Sequence, residues 1–119
     1  MTTVPVRVQA VMIDCRDPEA LMSFWSDVAG VEVAGRYPDY IFSTPLPGTH
    51  ISLAFQRVPE DKLVKNRLHL DVGHPDREAA IAKVVALGGT RVADHTEGGA
   101  AWTVMTDPEG NEFCITAIH

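Results

Sequence analysis

The sequence predicts an α+β fold, in which two βαβββ modules form a curved mixed sheet around a central groove with the helices on the outer face. The first observation behind this prediction is that a strand, a helix and then three strands occur in the same order twice along the 119 residues. The second is the spacing of the copies, at about 5–56 and 66–118, with a charged, proline-containing linker at about 57–65. A repeat this long in two copies is typical of paired modules and not of a solenoid. The sequence therefore predicts one domain over residues 1–119.

The first module contains a helix with clear signals at both ends. Asp17 suits the N-cap, and Pro18 fits the first helical turn. Apolar side chains then recur at helical spacing, at Leu21, Phe24, Trp25 and Val28, which predicts a helix over 18–29 that packs Phe24 and Trp25 into the core. Gly30 is the predicted C-cap. Strands are predicted at 5–15, 31–33, 40–42 and 49–56.

The second module repeats this pattern. Asp76 follows His74 and Pro75 as a helix N-cap, and Gly88 and Gly89 end the helix. The residues at helical spacing are Ala79, Ala80, Lys83, Val84 and Leu87. Strands are predicted at 66–72, 90–95, 100–106 and 111–118, with a tight Asp-Pro-Glu-Gly-Asn turn at 107–111.

Charge and composition exclude several classes of partner. The net charge is −6, whereas nucleic acids and anionic membrane surfaces require a basic footprint. No apolar run approaches the ~20 residues of a transmembrane helix, and the N-terminus lacks the pattern of a signal peptide. The two cysteines, Cys15 and Cys114, do not make a disulfide framework. We therefore expect a cytoplasmic protein with no nucleic-acid or membrane partner.

Alternation along the strands predicts which side chains face the groove. On the strand over 66–72, Leu68, Leu70 and Val72 are expected to face the helix, which leaves Arg67, His69 and Asp71 on the concave side. Asp71 would orient the His69 imidazole, and Arg67 would bind an anionic group. We predict His69 as the catalytic acid–base residue. The alternative is a structural histidine beside an ion pair.

The predicted ligand-binding residues lie on the concave faces of both modules. They are Met12, His50, Ser52, Arg67, His69, Trp102 and Cys114. Four of them have a plainer interpretation: His50 as an exposed turn residue, Trp102 and Met12 as core, and Cys114 as a buried inert thiol. Cys114 becomes a candidate nucleophile if an adjacent Arg67 lowers the pKa of its thiol.

Four sequence stretches carry a resemblance to a known superfamily. They are D-C-R-D-P at 14–18, F-Q-R-V-P at 55–59, N-R-L-H-L-D at 66–71 and D-P-E-G-N-E-F-C at 107–114. In this order they resemble the vicinal oxygen chelate superfamily, which contains glyoxalases, bleomycin-resistance proteins and extradiol dioxygenases. The resemblance implies paired βαβββ modules and a homodimer. It also implies, for metal-dependent members, one ligand on the first and fourth strands of each module.

The metal positions implied by the resemblance carry unsuitable side chains in this sequence. They fall on Ala10, Ser52, Arg67 and Cys114. Alanine cannot coordinate, serine is a poor ligand, and arginine brings a positive charge. We therefore predict no metal and no cofactor, with a displaced metal site formed by His50, His69 and Glu112 as the alternative.

These features predict a metal-independent glyoxalase-like protein that binds a small organic molecule, acidic or aromatic, in its groove. The ligand would be sequestered, as in resistance proteins of the superfamily, or turned over by acid–base chemistry through His69. One alternative is a metal-dependent lyase, isomerase or dioxygenase with a relocated metal site. Another is a dimeric scaffold without a ligand.

Overall fold

The computed structural model describes residues 5–118. The chain divides into two compact units, with the boundary between Pro59 and Glu60. This boundary falls inside the linker that the sequence predicts at about 57–65. Each unit contains a helix and a four-stranded sheet, so the predicted α+β class and the two βαβββ modules are confirmed.

The first unit follows the predicted element order. Its elements are β1 (Ala10–Cys15), α1 (Pro18–Ala29), β2 (Val33–Arg36), β3 (Tyr40–Pro45) and β4 (Ser52–Arg57). The strands lie in the order β1-β4-β3-β2. Strand β1 is parallel to β4, and the other neighbours are antiparallel. The mixed sheet results because the helical connection after β1 returns the chain to the sheet in the same direction.

Helix α1 begins and ends where its capping residues predict. The side chain of Asp17 accepts a hydrogen bond from the Ala20 N–H at 3.1 Å. Gly30 closes the helix with φ +71°, a left-handed conformation that glycine adopts without steric cost. Phe24 and Trp25 are 4% and 2% exposed, so their predicted place in the core is confirmed.

Strand β1 is shorter than predicted. It begins at Ala10 and not at residue 5, and the preceding side chains of Val6 and Val8 are 94% and 59% exposed. The reason is the length of the partner strand. Ala10 is paired with Ser52, the first residue of β4, and the Ser52 N–H donates to the Gln9 carbonyl at 3.0 Å, so the residues before Gln9 lie beyond the end of the partner strand.

The second unit has the same order of elements. They are β5 (Leu70–His74), α2 (Arg77–Ala86), β6 (Thr90–Glu97), β7 (Ala100–Thr106) and β8 (Glu112–Ala117). The strand order is β5-β8-β7-β6, with β5 parallel to β8. Asp76 caps α2 by accepting from the Ala79 N–H at 3.1 Å, as the sequence predicts.

The turn between β7 and β8 is built around a buried carboxylate. Asp107 is 2% exposed. Its Oδ1 accepts hydrogen bonds from the backbone N–H groups of Glu109 and Asn111 at 2.9 and 3.0 Å. Gly110 supplies the positive φ of +86° that the turn requires. Asp107 therefore holds β7 and β8 in register from the inside of their connection.

Strand β5 also begins later than predicted. It starts at Leu70, and residues 66–69 lie outside any strand. Leu70 is paired with Phe113, the second residue of β8. Residues 66–68 therefore lie beyond the end of the partner strand. Leu68 is 69% exposed, and its predicted place against the helix is wrong. Arg67 consequently does not share a strand face with His69 and Asp71.

Neither helix within residues 5–118 is long and apolar enough to cross a membrane. Helices α1 and α2 have 12 and 10 residues, well short of the ~20 that a bilayer requires.

Candidate functional site

A cleft of about 660 Å³ lies in the second unit. Its polar lining includes His69, Asp71 and Arg77, and its apolar lining includes Trp102. Cys114 lies among these residues and is 8% exposed. The cleft therefore combines titratable, cationic and aromatic side chains, the mixture that small-molecule sites use to orient a ligand on an apolar surface.

The pairing of three strands brings these residues together. Asp71 of β5 lies opposite Cys114 of β8, and Trp102 of β7 lies opposite Thr116 of β8. Residues paired across neighbouring strands project from the same face of a sheet. The Trp102 ring also stacks on His95, with 5.6 Å between ring centroids and 23° between planes. Stacking of this kind restricts the indole to one orientation beside the cleft.

His69, Asp71 and Cys114 form a compact cluster. The Nε2 atom of His69 lies 3.2 Å from Oδ1 of Asp71. One potential ligand atom from each of the three residues lies within 4.8 Å of the others. An Nε2–H directed at Asp71 leaves Nδ1 of the imidazole as the basic nitrogen, so Asp71 selects the tautomer of His69.

The thiol of Cys114 is held in its protonated form. Burial raises its pKa above the usual value of 9.0, and the negative charge of Asp71 raises it further, against a smaller opposing effect of Lys65. The charged side chain paired with Cys114 is Asp71, whereas the nucleophile hypothesis requires Arg67 in that place. A neutral thiol at neutral pH serves as a small, weakly polar surface and not as a nucleophile.

The structure brings together only part of the predicted ligand-binding set. His69, Trp102 and Cys114 line one cleft. Arg67 is exposed in the bend before β5 and is not among the residues that line the cleft. The condition for Cys114 as a nucleophile, an adjacent Arg67, is not met, because the register places Asp71 opposite Cys114.

The remaining predicted residues lie in the first unit. Met12 is 42% exposed on β1. Ser52 is half-buried at the start of β4, opposite Ala10. His50 is exposed in the turn before β4, which agrees with its plainer interpretation. A ligand site that spans both modules stays a prediction.

Sequence reasoning missed Arg77 as a cleft residue. Arg77 is the first residue of α2 and lines the cleft beside residues from three strands. A signal was present, because an arginine directly after an N-cap stands where the helix dipole favours an acidic residue. Thr116 of β8, also in the lining, follows Cys114 at the two-residue spacing of one strand face.

The carboxylate of Glu112 accepts hydrogen bonds from Lys62 in the linker and from Asn66, and is not part of a cluster with His50 and His69, the alternative metal set. Its Oε1 accepts from Lys62 Nζ at 2.9 Å, and its Oε2 accepts from the Asn66 N–H at 3.1 Å. Burial raises the pKa of Glu112, but the hydrogen bonds from Lys62 and Asn66 outweigh burial, and the net pKa lies below 4.5. Within residues 5–118 the potential metal ligands that cluster are His69, Asp71 and Cys114.

The first unit has a smaller cleft of about 370 Å³. It is lined by Arg16, Asp39, Arg57, Val58 and Pro59, none of which the sequence predicts as a site residue. The Arg57 guanidinium donates to the Arg16 carbonyl at 3.0 Å, so part of this lining is structural.

Solved structures share the fold of this chain at low sequence identity. A glyoxalase/bleomycin resistance protein/dioxygenase family enzyme from Burkholderia phytofirmans PsJN is 21% identical, with a TM-score of 0.72, over 93% of this chain and 98% of the other. The fosfomycin resistance protein FosX from Listeria monocytogenes, solved with Mn(II) and a dihydroxypropylphosphonic acid, is 8% identical, with a TM-score of 0.78, over 95% and 90%. An antibiotic binding protein from Streptomyces sp. CB03234 is 17% identical, with a TM-score of 0.72, over 99% and 100%.

Sequence comparison identifies the family. A search of curated proteins finds no match. A family profile described as a glyoxalase-like domain matches residues 10–116, which is nearly the whole chain and both units. The chain therefore belongs to the glyoxalase-like domain family.

Proposed function

We propose that this chain is a metal-independent protein that binds a small organic molecule in the cleft of its second unit. The observation that carries the proposal is the meeting of His69, Asp71, Trp102 and Cys114 in one cleft of about 660 Å³. Trp102 offers a rigid ring with a large apolar contact area, and His69 offers a polar group that can orient a ligand. The neighbours that bind an antibiotic or a phosphonic acid support a small-molecule ligand.

His69 is the residue that would allow turnover in addition to binding. Its imidazole is half-exposed in the cleft, with a carboxylate at 3.2 Å. A histidine oriented in this way can act as a general acid or base, and general acid–base catalysis contributes ~10²–10⁴-fold. We expect His69→Asn to reduce turnover more than binding, because asparagine keeps polarity without titrating.

A second candidate function is favoured by the same cluster. His69, Asp71 and Cys114 offer nitrogen, oxygen and sulfur ligand atoms within 4.8 Å of one another, a donor set that suits Zn²⁺ with an open position for substrate. Metal binding would require the Cys114 thiol to lose its proton, against the raised pKa that burial and Asp71 impose. We therefore rank a metal-dependent lyase, isomerase or dioxygenase second.

Calorimetric titration of chelator-treated protein tests the proposal. The probes are small aromatic acids, neutral aromatics and thiol conjugates, and we expect saturable binding of at least one of them. Ala101→Trp places a large ring at a residue that lines the cleft, and we expect it to abolish this binding. Ala101→Ser changes the same position with little change in volume and should retain the parent affinity.

The outcomes of this titration separate the candidates. Equal affinity of the parent and Ala101→Trp would place the ligand outside this cleft and contradict the proposal. Binding that appears only with added Zn²⁺, together with about one metal per chain that is lost in Cys114→Ser, would establish the second candidate instead. No binding of any probe, with or without metal, would favour the scaffold without a ligand.

We also propose that the protein is a cytoplasmic homodimer. Within residues 5–118 neither Cys15 nor Cys114 forms a disulfide bond, which suits a reducing compartment. Each four-stranded sheet ends in edge strands, whose backbone groups a second copy could cover. Sedimentation equilibrium at micromolar concentration should give twice the 13.0 kDa chain mass. A single chain mass under these conditions would contradict the dimer.

A further inference from the structure

Arg77 carries a buried hydrogen-bond donor that has no partner in the described part of the chain. It is the first residue of α2 and lines the cleft of the second unit. Its Nη1 atom is buried, and nothing within residues 5–118 accepts a hydrogen bond from it. A guanidinium N–H removed from water without an acceptor is unfavourable, and such groups in folded proteins require an explanation.

Nearby carboxylates do not provide that acceptor. Asp94 is close enough for the charge of Arg77 to contribute, as the smallest cause, to lowering its pKa. The carboxylate of Asp94 is already occupied by the Arg91 guanidinium and the Thr103 hydroxyl. Glu78 likewise accepts two hydrogen bonds from Arg91. Arg77 is therefore left out of the ion-pair network that its neighbours form.

The helix does not account for Arg77 either. A cation in the first turn of a helix faces the positive end of the helix dipole, which is unfavourable. The capping of α2 is supplied by Asp76, and Glu78 provides the favourable acidic residue. The side chain of Arg77 thus contributes no cap and no favourable dipole interaction to α2.

Apolar side chains also line the cleft that His69 and Arg77 share. Seven residues separate His69 and Arg77 in the chain, and five of them form β5, which spans roughly 16 Å. Trp102 is paired with Thr116, within this interval, and Ala101 and Ala117 also line the cleft. A ligand near Arg77 would therefore contact an indole and small aliphatic side chains.

We propose that Arg77 determines the class of ligand, and that this class is an aromatic carboxylate. The Arg77 guanidinium would bind the carboxylate through two parallel hydrogen bonds, and the aromatic ring of the ligand would lie beside Trp102. The inference rests on the proposed function and assigns to Arg77 the anion-binding role that the sequence suggests for Arg67.

Paired probes of equal shape and different charge test the inference. We expect the parent protein to bind at least one of 2-naphthoate and phenylacetate about 10- to 100-fold more tightly than the corresponding amide, the range for a hydrogen bond to a charged group. Arg77→Gln should remove this preference, and Arg77→Lys should keep part of it. Arg67→Gln is the matched control, since it removes the same charge from an exposed residue that does not line the cleft.

Circular dichroism and thermal melting show whether the variants are folded. We expect Arg77→Gln to melt at or above the parent temperature, because it removes a buried donor without a partner. If Arg77→Gln does not fold, the preference of Arg77→Lys for the acid over the amide decides. A partial loss of this preference supports binding of the carboxylate by the arginine fork, and full retention contradicts it.

Three results would overturn the inference. Equal affinity for acids and amides, with binding lost in Ala101→Trp, would contradict the anionic class and leave the proposed function intact. A charge preference that survives in Arg77→Gln or disappears in Arg67→Gln would move the anion site away from Arg77. Absence of binding for every acid and amide would contradict both the inference and the proposed function.

Discussion

Replacing Asp107 with alanine is expected to lower the free energy of unfolding by about 3 kcal/mol, because two backbone donors lose a buried charged acceptor. Asp107 is 2% exposed, and its carboxylate is the acceptor for the backbone N–H groups of the half-buried Glu109 and Asn111. Its carboxylate also accepts from Asn111 Nδ2 at 3.2 Å. Urea denaturation at neutral pH measures the loss.

Asp107→Asn provides the matched control. An asparagine carbonyl can replace Oδ1, which accepts both backbone hydrogen bonds, while the interaction of Oδ2 with Asn111 is lost. We expect roughly 1 kcal/mol of destabilisation for this variant. An alanine variant as stable as the asparagine variant would mean that the turn residues alone hold the connection between β7 and β8.

Replacing Glu112 with glutamine is expected to destabilise the chain by about 2 kcal/mol at pH 7, the scale for hydrogen bonds to a charged group. The pKa of Glu112 in the folded chain lies below its ordinary value of 4.5. A lowered pKa means that the carboxylate favours the folded state above about pH 4.5, and that this stabilisation is lost as the pH falls through the lower folded value. The difference between the parent and the variant should therefore shrink below pH 4.5.

The measurement is the free energy of unfolding of both proteins between neutral and acid pH. Glu97→Gln is the control, because it makes the same chemical change at an exposed residue at the end of β6, where we expect an effect within about 0.5 kcal/mol. A difference between the parent and Glu112→Gln that stays constant through acid pH would contradict a role for the ionised carboxylate in holding Lys62 and Asn66.

The late start of β5 and the position of Arg67 outside the sheet have a common physical origin. The alternating pattern of the sequence predicts one strand over residues 66–72, with Arg67, His69 and Asp71 on the same face. A strand forms only where a neighbouring strand supplies backbone hydrogen-bond partners. The first such pair between β5 and β8 is Leu70 with Phe113. Glu112, the residue before Phe113, binds the backbone and side chain of Asn66 and holds that segment in a bend. Arg67 follows Asn66 and is thereby excluded from the sheet.

Local chemistry in the sequence determined the elements of this protein. Asp17, Gly30 and Asp76 act on groups within a few residues, so the helix boundaries they predict agree with the structure. The turn at 107–111 is likewise closed by its own side chains. The doubled order of elements determined the fold class, because each βαβββ copy buries its own helix.

Tertiary structure alone decided strand lengths, register and the composition of the cleft. The partner of Cys114 depends on how β5 and β8 are aligned, which no residue of β5 specifies by itself. Arg77 reaches the cleft only because α2 begins beside the strands that line it. Within residues 5–118, the lack of an acceptor for its Nη1 depends on the carboxylates of Glu78 and Asp94, which Arg91 from another element has already engaged. Such properties arise from long-range packing, so local spacing in a sequence does not contain them.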